Sequence, residues 1–533
     1  MVNRKETGDG IVQGEAKKLK RALTLMPLVG LIYFTVSGGT FGIEPLIGYS
    51  GPGLGLLLIA LTPFIFSLPN LLIVRELQTM MPAEGGYYHW VKRAFGPFAG
   101  FLAGWNNWVV SWLDVSIYPV FAALYLSYFI PALDTGATIA GVEVPAQLLQ
   151  WLFAVVMIWF VAWLQVRGSR ATGIFTNSLG VVMIIPVIIM TVLGFVSWIK
   201  SGVTPSLPFL IGGIEPNFEN MTAAFSTGLF VVMWNYMGWE LPSAAGDEVV
   251  EPRKTYPRAM AIVLVLAILT YLLPITGALY GGAGEDGRAL IWGIEESEEG
   301  AGIGADIAGY GVDATQIESW GASSADASGW ELPQIGHAIA EKLTGEKNSP
   351  LALLMGSILT ISAVLSMIGL FIGNSLGGSR VPFALAEDGM FPRWMVKVHP
   401  AHGSPYVAIL VVSVIYTVFA TNAFAFLVVA DVFLQLVVVL AEIAAVWKLR
   451  RTEPDRPRDR VPGGTFGLVV ASVSLGGIIL IAFASQIIEE GFSSVGISLM
   501  FIVIGACLYF PFRKYLKPGI RDVDPFEAVE SDD

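Results

Sequence analysis

The sequence predicts an all-α integral membrane protein of about twelve helices. The first and sixth are broken, the first ten form a five-plus-five inverted repeat, and two extra helices follow. Three observations carry this. Hydrophobic residues make up 54% of the chain and charged residues only 14%, against about 25% charged in a soluble domain. Apolar runs of the ~20 residues that cross a bilayer recur along the chain. Their centres fall near residues 35, 65, 113, 157, 185, 233, 270, 363, 412, 436, 476 and 503. Two of these runs are interrupted at mid-depth by glycine and a carboxylate.

The first interruption is Ser37-Gly38-Gly39-Thr40-Phe41-Gly42-Ile43-Glu44, between an apolar run from Leu23 to Val36 and one that continues to Tyr49. Each glycine weakens a helix by about 1 kcal/mol. Backbone groups left unpaired in hydrocarbon cost several kcal/mol each unless protein, water or a ligand satisfies them. Broken helices at this depth therefore line cavities, and in secondary transporters they hold substrate. Glycine-mediated helix packing is the competing explanation, but it leaves Glu44 unexplained. The second interruption is Trp234-Asn235-Tyr236-Met237-Gly238-Trp239-Glu240. Five spans begin at each break. That number is odd, so the second set enters the bilayer inverted, with a midplane site between the breaks.

In chain order, residues 1–21 form a polar, basic tail without the apolar core of a signal peptide. Residues 22–200 hold the first five helices, 201–221 an outer loop, and 222–450 the second five. An acidic outer loop, 284–349, interrupts the second set. A loop at 451–463, the last two helices at 464–514 and an acidic tail at 515–533 complete the chain. Only Lys200, Arg288, Lys342 and Lys347, four of 31 basic residues, fall on the outer side. That asymmetry predicts cytoplasmic termini in a multi-pass protein of the cell membrane. The long loop is rich in Gly, Ala, Ser and acids and reads as mostly irregular; Trp330–Thr344 reads as a short amphipathic helix. Gly282-Ala283-Gly284-Glu285-Asp286-Gly287 is formally GxGxxG. It follows a span and not a strand, and its acids repel a pyrophosphate, so a dinucleotide site is excluded.

Polar residues inside the spans mark candidate chemistry, because ionisable groups at membrane depth face polar interiors. Asn107, Ser111, Asp114 and Tyr118 share one helical stripe, as do Asp431, Gln435 and Glu442. Ser362, Ser366, Gly369 and Gly373 form a small-residue stripe that suits close packing or hydroxyl ligands for a coupling cation. Glu442 and Glu76, nearer the inner interface, read as structural. The single Cys507 can form no internal disulfide, and His399 and His402 are not a metal site by themselves. With no nucleophile–base pair, P-loop or zinc-ligand cluster in view, an enzyme, a cofactor, a metal centre and a nucleic-acid partner are not expected.

The chain resembles the amino acid–polyamine–organocation (APC) superfamily of permeases, and within it the polyamine and L-amino acid uptake group best known from plants. The resemblance runs from about Leu25 to Arg450. It rests on VSGGTFGIE (36–44), MPAEGGYYHWVKRAFGP (81–97), WLDVSIYP (112–119), WNYMGWELPSAAGDEVVEPRKTYPRAM (234–260), MIGLF (367–371) and ALAEDGMFP (384–392). Two departures stand out. Plant-type members carry an acid after the first-span glutamate where this chain has Pro45, and their outer loop between spans seven and eight is shorter.

The resemblance implies a LeuT-like fold and assigns roles. The amides of Gly39 to Gly42 would receive a substrate carboxylate if there is one. Carbonyls of Thr35–Ser37 and Trp234–Asn235 would accept an ammonium. Substrate contacts are thus expected at Ser37, Gly38, Gly39, Thr40, Phe41, Gly42, Glu44, Asp114, Trp234, Asn235 and Gly238. Trp234, Glu240 and Asp431 would serve gating and proton coupling, and Ser362 with Ser366 a possible cation site. The fifth-span lysine of some proton-driven members is absent; Thr176 and Asn177 occupy that region. The expectation is a secondary transporter of amino acids or polyamines working by alternating access in membrane lipid, with H+ as coupling ion. Exchange and sodium symport stay open, as does a nutrient receptor on a transporter fold.

Overall fold

The computed structural model describes residues 24–81, 86–139, 141–205, 207, 209–210, 217–241, 243, 249–283, 332–421, 424–490 and 493–512. The tails, most of the long acidic loop and residues 284–287 of the GxGxxG stretch lie outside that range. Helix α1 (Leu25–Val36) and helix α2 (Glu44–Ser50) are two halves of one interrupted element. Helix cannot run between them, because Gly39 (φ +80°) and Gly42 (φ +89°) sit in the left-handed region that only glycine enters at little cost.

The chain then turns into α3 (Pro52–Met80), which widens to a π-type turn at Pro63–Ser67. Next come α4 (Gly86–Phe95), with Lys92 and Arg93 in its last turn, and α5 (Pro97–Leu126). Proline opens α3, α5, α10 (Pro252–Gly281) and α12 (Pro350–Glu387), where its missing N–H forgoes no helix bond. Between lie α6 (Ala132–Thr135), α7 (Ala146–Val166), α8 (Ser169–Ser201), α9 (Phe218–Trp234) and α11 (Leu332–Thr344). The Asn217 side chain caps α9 by accepting the Asn220 N–H at 2.8 Å. Helices α13 (Tyr406–Phe419), α14 (Phe424–Thr452), α15 (Gly464–Glu490) and α16 (Ser493–Phe512) follow.

Among the described residues, eight helices are long and apolar enough to cross a membrane, and α1, α9, α13 and α16 are shorter apolar helices. The strictly all-α expectation is corrected by one hairpin, β1 (Ala137–Ile139) with β2 (Val142–Val144), which pairs Thr138 with Glu143. Its β-branched residues and the positive φ of Gly141 favour a tight reversal, and it is too short to alter the helical pattern.

Burial is inverted relative to a soluble protein. Val156, Phe160, Ile188, Leu354, Val473 and Leu480 face outward, while Glu44, Glu76, Glu240, Asp431 and Glu442 are buried. That is the arrangement hydrocarbon requires of a bundle with a polar interior. Helix α5 packs on α12 and α14, α1 on α10 and α12, and α2 on α9. Helices α8 and α10 approach so closely that a Cβ on Gly194 would lie 2.3 Å from the Gly277 carbonyl oxygen. Lys92, Arg93, Arg253 and Arg450 gather at one end, where Arg253 reaches the Thr79 carbonyl and Arg93 pairs with Glu453 at 2.7 Å. We call this the basic end.

Candidate functional site

Where the two interrupted helices meet, a cavity of about 500 Å³ opens. Helix α9 stops at Trp234 because Gly238 (φ +89°) takes the backbone out of helical geometry. The Asn235 side chain donates to the Gly42 carbonyl (3.1 Å) and to the Val231 carbonyl (2.9 Å), tying one break to the other. From α10 the Tyr271 hydroxyl donates to the Asn235 carbonyl at 3.0 Å. Backbone groups freed by both breaks are thus paired with side chains, as the low-dielectric interior demands.

One wall is α5. The Asp114 Oδ1 accepts bonds from the Tyr118 hydroxyl (2.7 Å) and from the Trp234 indole (3.1 Å). The Asn374 amide of α12 in turn donates to the Tyr118 hydroxyl at 2.9 Å. Trp234 stacks on Phe121 (6.2 Å, 11°) and Tyr118 (6.1 Å, 28°), an aromatic lid on the side away from the basic end. The facing wall is α14. Asp431 is only 3% exposed and its Oδ1 has no hydrogen-bond partner among the described residues. One turn on, the Gln435 amide donates to Glu240 Oε1 at 2.5 Å, while Gln435 Oε1 and Glu240 Oε2 lack partners among the described residues. No Lys, Arg or His is among the described residues lining this cavity. Desolvated carboxylates without a cation are costly, so these groups call for a proton or a cation.

Of the residues expected at the site, Gly38, Phe41, Asp114, Trp234, Asn235, Gly238 and Asp431 line the cavity. Ser37, Gly39, Thr40, Gly42 and Glu44 do not; they form the packed back of the break. Glu44 corrects its expected role. Its carboxylate turns back onto its own helix start, where the Gly42 N–H donates to Oε2 (2.6 Å) and the Tyr125 hydroxyl to Oε1 (2.9 Å). A helix N-terminus attracts an anion, and here the chain supplies one. Within the amide nest expected to take a substrate carboxylate, the Gly42 N–H is taken by Glu44 and the Gly39 N–H by the Ser37 hydroxyl.

Glu240 lies toward the basic end, beneath Gln435 and off the main cavity. The Ser362 hydroxyl donates to the Met183 carbonyl at 2.5 Å, and the Ser366 hydroxyl donates to the Gly38 carbonyl. Both hydroxyls fasten α12 to its neighbours, the packing side of the two options. The side chains of Thr176 and Asn177 lie outside the described residues. Tyr271, Val110, Met237, Leu241 and Leu370 also line the cavity. Val110 and Tyr271 carried no signal in the sequence, each being one apolar or aromatic residue in an apolar run, whereas Met237, Leu241 and Leu370 lay inside stretches already singled out.

A family model described as amino acid permease matches residues 23–311 and 321–509. The chain is 28% identical to the polyamine transporter PUT1 of Oryza sativa subsp. japonica over 95% of its length and 82% of that protein's. It is 27% identical to the polyamine transporter RMV1 of Arabidopsis thaliana, over 92% of this chain and 85% of that one. It is 23% identical to the serine/threonine exchanger SteT of Bacillus subtilis, over 74% of this chain and 75% of that one.

Proposed function

The chain belongs to the amino acid permease family of multi-pass membrane transporters, and from that premise we propose that it carries organic cations, polyamines first, by alternating access. One observation carries the reading: the cavity is walled by Asp114 and Asp431, with no base among the described residues that line it, and the Gly42 amide at the break is taken by Glu44. An α-amino acid brings a carboxylate that meets two acids and finds the Gly39 and Gly42 amides already bonded. A polyamine brings only ammonium groups, which these acids and the Trp234 face attract. The similarity to PUT1 and RMV1 supports the same substrate class.

In this reading the first ten of twelve helices form the inverted repeat, with both termini and the basic end in the cytoplasm. The Trp234–Phe121–Tyr118 stack is the outer gate and the Glu240–Gln435 pair lies on the inner route. A proton carried on Glu240 while Asp114 meets the ammonium would couple uptake to an inward proton gradient.

The test is uptake into liposomes that contain the purified protein. Putrescine, spermidine, arginine and leucine are compared with and without an inward proton gradient. Gradient-driven amine uptake is expected. Leucine uptake in preference to the amines would refute the substrate class, and binding without flux of any of them would favour a receptor.

A further inference from the structure

A second cavity, about 380 Å³, lies between the first and the basic end. Tyr87, Asn107, Glu240, Leu241, Ser243 and Gly377 line it, and Leu241 also lines the first cavity, so the two share a wall. Glu240 lines this space, is 1% exposed, and its Oε2 has no partner among the described residues. Its other oxygen is held by Gln435, which lines the upper cavity. The described lining again contains no Lys, Arg or His. The nearby Lys92 is committed to Asp388 at 2.6 Å.

We propose that this lower cavity is a second ammonium subsite, so that one linear polyamine is held at two points. One cation lies against Asp114 and Asp431, and a more distant one lies against Glu240 beside the Tyr87 ring. The inference rests on the amine reading above and adds to it a requirement on chain length. A pair of desolvated carboxyl groups above and a single one below, separated by the apolar Leu241, match a molecule of charged ends and methylene spacers. A single compact cation matches only one of them. The Glu240–Gln435 bond holds Glu240 in place between the two cavities, and Oε2 is left for the guest.

The test measures equilibrium binding of α,ω-diamines from 1,3-diaminopropane to 1,8-diaminooctane, and of spermidine, to the purified full chain. In the wild type, affinity is expected to rise about tenfold or more once the second ammonium reaches the lower cavity. Gly377→Leu fills that cavity, and a Cβ at Gly377 meets no atom within 4 Å, so the helix tolerates it. Both Gly377→Leu and Glu240→Gln are expected to remove the rise with length, with 1,3-diaminopropane as the internal reference. A wild-type profile flat with length, or a rise that survives in both variants, overturns the second subsite while leaving the amine site standing. Failure of every amine to bind overturns both readings.

Discussion

Carboxylates at the basic end and carboxylates at the centre of the bundle are both withdrawn from solvent, yet they keep opposite company. At the basic end Glu76 is 0% exposed and is gripped by Arg450 through bonds of 2.7 and 2.5 Å, with a third from the Val461 N–H at 2.8 Å. Asp388 takes Lys92 and the Tyr88 hydroxyl, and Glu453 takes Arg93 and Arg456. At the centre, Asp114 and Asp431 face a cavity with no base among the described residues on its wall. Burial alone therefore does not identify a site. What separates the two groups is the cation: the chain supplies one to the carboxylates of the basic end and none to the described lining of the central cavity. Glu442 is 0% exposed, and neither of its oxygens has a hydrogen-bond partner among the described residues, whereas Glu76 has several.

The comparison can be broken most forcefully at Glu76. Glu76→Ala leaves the Arg450 guanidinium without its partner inside the protein, and a loss of about 3–5 kcal/mol of stability is predicted. Thermal unfolding of the detergent-solubilised protein reads it. A melting temperature like that of the wild type would show that the pair fastens nothing.

Asp114→Asn should do the reverse. The amide oxygen still accepts from Tyr118 and Trp234, so folding is preserved, while amine affinity falls by about tenfold or more for the lost charge. If binding is retained, Asp114 belongs with the fasteners. Glu240→Gln is a finer cut. Gln435 can still donate to the new side chain, so the predicted defect is loss of the pH dependence of putrescine uptake and not of uptake itself. Unchanged pH dependence removes Glu240 from the coupling role.

The smallest effect is expected at Glu453. Burial raises its carboxyl, but the hydrogen bonds and charges of Arg93 and Arg456 outweigh this and hold it below the ordinary carboxylate range. A depressed folded value means stability that is present above the unfolded value and lost as pH falls through the folded one. Glu453→Gln should therefore cost at most about 1 kcal/mol at neutral pH. The gap to wild type should close as the pH drops below about 4. A gap that widens in acid contradicts the pairing.

The sequence by itself determined the membrane class, the order of the helices and the position of both breaks. Each is a local property: hydropathy over twenty residues, or the left-handed backbone that Gly39, Gly42 and Gly238 permit. It also put Asp114 and Asp431 on polar stripes, and both reached the cavity. Only the tertiary structure decided which acids keep a partner. Arg450 comes to Glu76 from another helix far along the chain, and Tyr125 helps turn Glu44 into the amide nest and away from the cavity. Tyr271, which closes the site from α10, is one aromatic in an apolar run until the fold brings it to Asn235. Periodicity reveals the face on which a side chain lies. What meets it there depends on long-range packing, and in a low-dielectric interior that meeting separates a fastened charge from a vacant one.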